Sequence, residues 1–355
     1  MLEGSHFDRD RHRMSRMAKL LDPYIGLMLV TVAIAAVVPA QGTAAVFVKY
    51  ASMASIVFLF FLYGTRLSPQ AAIDGLLQWK LHIVVLLCTF AMFPLLGLAL
   101  RPLFPSGTPV ALVTGFLFLC VLPSTVQSSI AFTSIARGNV AAALCAASAS
   151  NLLGVFISPI LAGWLLQAQG AALSFAVFRD ITLQLLLPFV AGQLVRPVIG
   201  GWVQHNRTVL GYADRGSILL IIYMAFSQGM IDGIWTQIRA KDLVVLILLL
   251  CALLTIALLA TAYIGRRILR FSVENEIVLQ FCGSKKSLAS GLPMATVMFA
   301  GPTVGMIILP LMMFHQIQLM VCAILARQYA HREDGVDHDT GKPALPAAIG
   351  RRGRK

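Results

Sequence analysis

The chain has 355 residues, of which 58% are hydrophobic and 12% charged, with a mean hydropathy of +0.82. A soluble domain carries roughly 25% charged residues, so a water-soluble enzyme, a nucleic-acid-binding domain and a disordered chain are excluded, and a polytopic helical membrane protein remains. The net charge of +13 does not argue for nucleic acid, because much of it lies in two tails, Arg9–Lys19 and Arg327–Lys355, where basic residues set membrane topology.

Residues 1–19 form a basic, polar tail that reads as cytoplasmic. A full span follows it, not the short apolar region and small-residue cleavage site of a signal peptide. Runs long enough to cross ~30 Å of hydrocarbon then recur ten times, at about 22–39, 46–64, 81–100, 109–135, 139–166, 179–195, 214–230, 243–265, 272–299 and 304–327. Span four is interrupted by Pro123-Ser-Thr-Val-Gln-Ser-Ser129 and ends in the turn Ala136-Arg-Gly-Asn139. Span nine is interrupted by Gly283-Ser-Lys-Lys-Ser287 and ends in Ala300-Gly-Pro-Thr303. Residues 333–355, rich in charge, Gly, Pro and Ala, read as a disordered cytoplasmic tail. The six cysteines sit in apolar runs with no CxxC pair and read as small buried hydrophobes.

The distribution of basic residues tests the count. With the N-terminus inside, the cytoplasmic segments hold 21 of the 28 Lys and Arg, the outer segments hold 5, and the remaining two, Lys285 and Lys286, fall inside span nine. Cytoplasmic segments favour Lys and Arg, so both ends are expected inside. Ten spans split into a first five-helix repeat over 20–166 and a second over 167–332, and an odd number per half makes the repeat inverted. Backbone groups freed by a broken helix cost several kcal/mol each in hydrocarbon unless protein or water satisfies them. Paired broken helices at matched positions therefore point to a transporter's substrate site.

These motifs carry a resemblance. Ala136-Arg-Gly-Asn-Val-Ala141, the crossover Phe281-Cys-Gly-Ser-Lys-Lys-Ser-Leu-Ala-Ser-Gly291 and Phe314-His-Gln-Ile317 resemble the bile acid:sodium symporter family, and within it the SBF-like branch. The likeness covers about residues 18–332. It implies an all-α membrane fold of ten helices in two inverted repeats. A panel would form from spans 1, 2, 6 and 7, and a core from spans 3–5 and 8–10, with discontinuous spans four and nine crossing. It also implies sodium-coupled uptake of organic anions. The chain departs from that pattern at the ion sites. Where sodium-coupled members carry Glu, Gln and Asn in the crossover, this sequence aligns Phe281, Lys285 and Lys286, and a sodium-touching Gln in span three aligns near Thr89. One of two sodium sites therefore looks dismantled.

The residues alone lead the same way. All 15 Asp and Glu fall in tails, loops or span ends, so a cation at the crossover would have neutral ligands only. The candidates are Ser124, Thr125, Gln127, Ser128, Ser129, Asn139, Ser148, Ser150 and Asn151. A weak sodium site is expected from Ser128, Ser129, Ser148 and Asn151. The same side chains also cap broken backbone and join helices. Lysine inside a span costs at least ~2.5 kcal/mol on insertion scales and is tolerated beside a wet cavity or a partner. Two roles are open for Lys285 and Lys286, flanked by Ser284 and Ser287. One ammonium replaces a sodium ion, protonation then standing in for ion binding, or one ammonium meets an anionic substrate. Alignment favours Lys285 as ion surrogate and Lys286 as the cavity-facing group. A third reading is a snorkelling or capping lysine. His315, well inside span ten, reads chiefly as a helix–helix hydrogen bond.

The expectation is a secondary active transporter, not an enzyme, in a bilayer such as the bacterial inner membrane. It would move a small organic anion, coupled to sodium or protons, without other cofactor and without nucleic acid. A membrane regulatory protein on the same fold is the alternative, and P-loop, GxSxG and HExxH motifs are absent.

Overall fold

The computed structural model describes residues 23–66, 78–167, 179–180, 182–299 and 301–332. The expected tails at 1–19 and 333–355 lie outside these. Every long regular element among the described residues is a helix. In chain order they are α1 (Pro23–Val37), α2 (Gly42–Arg66), α3 (Trp79–Leu103), α4 (Val110–Val121), α5 (Val126–Ile135), α6 (Val140–Gln167), α7 (Thr182–His205) and α8 (Arg207–Ile231). They continue with α9 (Ala240–Ile268), α10 (Val273–Gly283), α11 (Leu288–Met298) and α12 (Val304–Ala330).

Seven of these, α2, α3, α6, α7, α8, α9 and α12, are long and apolar enough to cross a membrane, and the pair α4–α5, bent by 59°, makes an eighth. The sequence reading expects ten. The remaining two fall short singly, because α1 is 15 residues long and α10 and α11 are 11 each.

One sequence-based boundary is overturned. A loop was expected between 195 and 214, but α7 runs to His205 and α8 starts at Arg207 with only Asn206 between them. Hydropathy marks where a helix leaves hydrocarbon, not where its backbone hydrogen bonds end. Asp214, expected at a span end, consequently lies two turns inside α8. It is buried against Arg66, whose Nη1 donates to Oδ2 at 2.8 Å.

The helices pack in two sets. In the first, α2 lies along α7, and α8 packs on both α1 and α2. The α2–α7 approach depends on missing side chains. A Cβ at Gly64 would meet the Phe189 carbonyl, and one at Gly192 would meet the Phe61 carbonyl. Small residues let membrane helices approach this closely, and Gln193 Nε2 then donates to Gly64 O at 2.7 Å. The second set contains α3–α6 and α9–α12, with α12 against α4, α5, α9 and α11, and α10 against α3, α5, α6 and α9. Buried aromatics fill its centre, including the edge-to-face pairs Phe93–Phe314 and Phe118–Phe299. The sets meet where α8 touches α11 and α12.

Candidate functional site

Two helices break where the second set is densest. Pro123 ends α4, because proline has no N–H to continue the ladder, and α5 restarts at Val126. The other break spans Ser284–Ser287, between α10 and α11. Close approach at the first break is built into the sequence: a Cβ at Gly154 of α6 would come within 2.6 Å of the Pro123 ring.

Every backbone carbonyl from Cys120 to Pro123 has a partner. Ser158 Oγ donates to Val121 O at 2.7 Å, and the Ser287 amide donates to Pro123 O at 2.8 Å. Lys286 Nζ donates to both Cys120 O and Leu122 O, each at 2.8 Å. The third ammonium bond goes to Thr89 O, at 2.7 Å. That carbonyl is free for a local reason. Residues Cys88–Met92 of α3 form a π turn, in which the acceptor at 89 would pair with the amide at 94. Residue 94 is Pro94, which has none. The Phe93 ring centroid lies 4.2 Å from Nζ. Lys286 is fully buried, and its ammonium thus spends all three donors on carbonyls freed at the Pro123 break and at the π turn before Pro94.

Lys286 is also held by its own backbone. Its amide donates to Gln318 Oε1, and Gln318 Nε2 donates to its carbonyl, both at 2.9 Å. Thr125 Oγ1 donates to the same carbonyl at 2.9 Å. Further stitches join the breaks: Ser129 Oγ donates to Phe281 O at 2.9 Å, and Ser284 Oγ caps Gln280 O. Ser287 Oγ, the N-cap of α11, accepts from the Ser290 amide, and Ser290 Oγ donates to Asn151 Oδ1 at 2.6 Å.

Lys285 stands differently. Its Nζ donates to Ser128 Oγ at 3.0 Å and lies 4.6 Å from the Phe132 ring centroid, with Phe281 at 6.0 Å. The residue is fully buried, whereas Ser128 is half-buried. Among the described residues the ammonium therefore makes one hydrogen bond, to a hydroxyl near the surface of α5. Among the described residues no carboxylate pairs with either lysine. Two adjacent buried cations without a counter-charge make this place electropositive.

The structure separates the remaining candidates. Ser124 belongs to the break: its amide donates to Ser150 Oγ at 3.1 Å, and its hydroxyl is buried with no partner among the described residues. Gln127 is exposed on α5. Asn139 sits at the far end of α5, where Oδ1 accepts from the Ala142 amide and Nδ2 donates to Asn275 Oδ1. Ser148 is half-buried on α6, one turn before Asn151. Of the four residues expected to bind sodium, Ser128, Ser129 and Asn151 already hold the partners named above. His315 Nδ1 lies 2.9 Å from Gln318 Nε2. Gln318 was overlooked by the sequence reading, although an amide three residues after His315 in an apolar span was its signal.

Comparison with known proteins now fixes the family. Residues 22–331 match the SBF-like CPA transporter family. The chain belongs to the SBF-like CPA transporter family. An uncharacterized protein of Pseudomonas aeruginosa is 53% identical over 323 residues, which is 90% of this chain and 96% of the relative. YfeH of Escherichia coli is 46% identical over 319 residues, again 90% and 96%. The sodium/bile acid cotransporter 7 of Rattus norvegicus is 26% identical over 280 residues, or 78% and 82%. The resemblance carried by the crossover and the Ala136–Ala141 turn therefore holds, and the chain is an integral membrane protein of a transporter family. At the crossover the carbonyls of Thr89, Cys120 and Leu122 are met by Lys286, while Lys285 meets Ser128.

Proposed function

We propose that this chain is a secondary active transporter for a small organic anion whose crossover carries a built-in cation in place of sodium. The observation that carries this reading is the Lys286 ammonium, held by Thr89 O, Cys120 O and Leu122 O at 2.7–2.8 Å. Sodium is a hard cation that takes oxygen ligands, and here a tethered ammonium occupies such a set. In this reading Lys286 keeps the two breaks together permanently. Lys285, which makes one hydrogen bond among the described residues, is the group that exchanges its partner during transport. It meets the substrate's anionic group or passes a proton, reached by rotation of Ser128.

The ten-helix inverted repeat belongs to the same reading. The sets α1, α2, α7, α8 and α3–α6, α9–α12 have the membership expected of panel and core. Alternating access is rocking of the first set on the second about the α8 contacts with α11 and α12. The Ser124 hydroxyl, without a partner among the described residues, supplies a polar contact at the break for the anion. An uncompensated pair of buried ammoniums selects against cationic substrates.

The test needs no substrate. Melting of the purified protein is followed in sodium, potassium and choline chloride at equal ionic strength, at pH 6 and pH 8. A ligand of the folded state raises stability by RT ln(1 + [L]/Kd). The reading expects no sodium-specific rise, and a pH dependence that Lys285→Gln removes. A saturable sodium-specific rise in the unaltered protein overturns it and restores sodium coupling.

A further inference from the structure

Where α8 meets α12, the two helix sets touch backbone to backbone. A Cβ at Gly305 of α12 would come within 2.9 Å of the Ala225 carbonyl of α8 and within 3.0 Å of the Trp235 ring. Gly229, on α8, leaves room for the same ring, because a Cβ there would stand 2.9 Å from Trp235 Nε1. The indole therefore lies in a slot between two glycines, one from each set. It also stacks on Phe226 of α8, with ring centroids 4.8 Å apart and planes 12° from parallel. Local backbone puts it there. Gly233 follows α8 in the left-handed region, at φ +62°, which glycine adopts at no steric cost. The chain turns back, and the short turn Ile234–Gln237 returns Trp235 to the helix it has just left.

The linker that carries the indole is pinned at both ends. On the α8 side Gln228 Nε2 donates to Asp232 Oδ2 at 2.7 Å. On the α9 side Arg239 Nε donates to Asp242 Oδ2 at 2.8 Å and its Nη2 to Gly107 O at 2.7 Å, while Thr108 Oγ1 donates to Asp242 Oδ1 at 3.0 Å. One pin belongs to the first set and the other to the second, so Trp235 is held over the seam between them. The indole N–H opposes this placement. Trp235 Nε1 is buried and has no partner among the described residues, whereas a buried indole N–H ordinarily finds one. A donor buried without an acceptor penalises the state that buries it. We propose that Trp235 is the gating residue of the α8–α12 seam: its ring wedges the two sets together, and its unpaired N–H keeps that closure reversible. The gate rests on the alternating-access reading, in which the sets part at one end and then at the other. When the seam opens, the stacking and slot contacts are lost and the N–H gains water. These opposed contributions leave the seam held but not sealed.

The experiment uses the full-length protein in lipid nanodiscs with a reporter, Ala225→Cys, at the seam. Reaction with a charged, water-soluble maleimide is timed against the parent that lacks the reporter, which corrects for the native cysteines. The labelling rate follows the population of the open seam. Trp235→Ala should raise it at least tenfold. Trp235→Phe keeps a stacking ring and removes the donor, so it should lower the rate, by roughly tenfold for one unsatisfied group relieved. A ring that only fills space gives the opposite sign for that variant, because the smaller side chain leaves a gap. Ser106→Cys, exposed beside Gly107, should label equally in every background. Because the reporter at 225 sits in the seam itself, a second measurement leaves it out. Trp79, Trp164 and Trp202, all exposed, are replaced by Phe so that Trp235 alone fluoresces, and Gly305→Ala, which crowds the slot, should increase its quenching by acrylamide. A Trp235→Ala rate no faster than the unaltered one overturns the gate. So does a Trp235→Phe rate equal to or above it, a parallel rise at the Ser106 position, or quenching that Gly305→Ala leaves unchanged. None of these readouts depends on sodium or on Lys285 and Lys286, so the gate and the coupling proposed above fail separately.

Discussion

Lys286→Met removes the ammonium while keeping most of the side chain's volume, so it isolates the charge from the packing. The unaltered residue makes three charge-assisted bonds, to Thr89 O, Cys120 O and Leu122 O, from a fully buried position. Bonds to charged groups contribute about 1.5–3 kcal/mol each. One ammonium shared among three acceptors, less the cost of burying it, brings the net to about 3–5 kcal/mol, since each buried carbonyl left without a donor costs about 1–3 kcal/mol. Methionine leaves three carbonyls in an apolar interior with no donor, so its unfolding free energy should fall by that amount, seen as a lower melting temperature. Lys286→Ala should fall at least as far, but it also opens the space the side chain filled. Three carbonyl oxygens around a void are a sodium site, so the alanine variant should regain stability in sodium chloride and not in choline chloride. At sodium ten times its dissociation constant the recovery is about 1.4 kcal/mol. The methionine variant should show no recovery. Melting of the methionine variant at the unaltered temperature would falsify the claim that the ammonium holds the breaks together. An alanine variant indifferent to sodium would refute the view that this place is a cation site.

Two further predictions concern the supports of the site. Gln318→Leu strips the side-chain amide from both backbone groups of Lys286; Thr125 still serves the carbonyl, so the loss should be about 1–3 kcal/mol, seen as a lower melting point and faster hydrogen exchange at the Lys286 amide. Tyr63→Phe removes a hydroxyl that reaches Ala289 O on α11 at 3.4 Å and Asp214 Oδ1 at 3.5 Å, a polar link between the two helix sets. It should move the balance between conformations up to about tenfold, read as altered maleimide labelling of a cysteine placed at Ala289, and an unchanged labelling rate would remove Tyr63 from the mechanism.

Much of the architecture could be read from the chain because hydrocarbon imposes it. Apolar runs gave helix positions to within a few residues for α2 and α9, and Pro123 and the Gly283–Ser287 stretch marked both breaks. The segment 196–213 could not be read, since a helix satisfies its own backbone in water as well as in lipid, and its arginines report only on the solvent. The different partners of Lys285 and Lys286 were out of reach for a different reason. Neighbouring residues on unwound backbone point in directions set by local torsion angles, which residue identity does not encode. The ligands of Lys286 are main-chain atoms and leave a trace only through Pro94 and Pro123, the residues that free them. Gln318 carried a legible signal, an amide in an apolar span, that attention to His315 obscured.

The covalent attachment of the Lys286 ammonium has a consequence for how the protein meets its surroundings. A dissolved ion occupies its site by mass action, so its occupancy follows the salt outside. A charge on the chain itself is present at an effective concentration set by tether length, which no dilution alters. The crossover is then assembled as completely in fresh water as in brine. On the proposed reading, whatever gradient moves the cargo has no part in deciding whether the crossover is assembled.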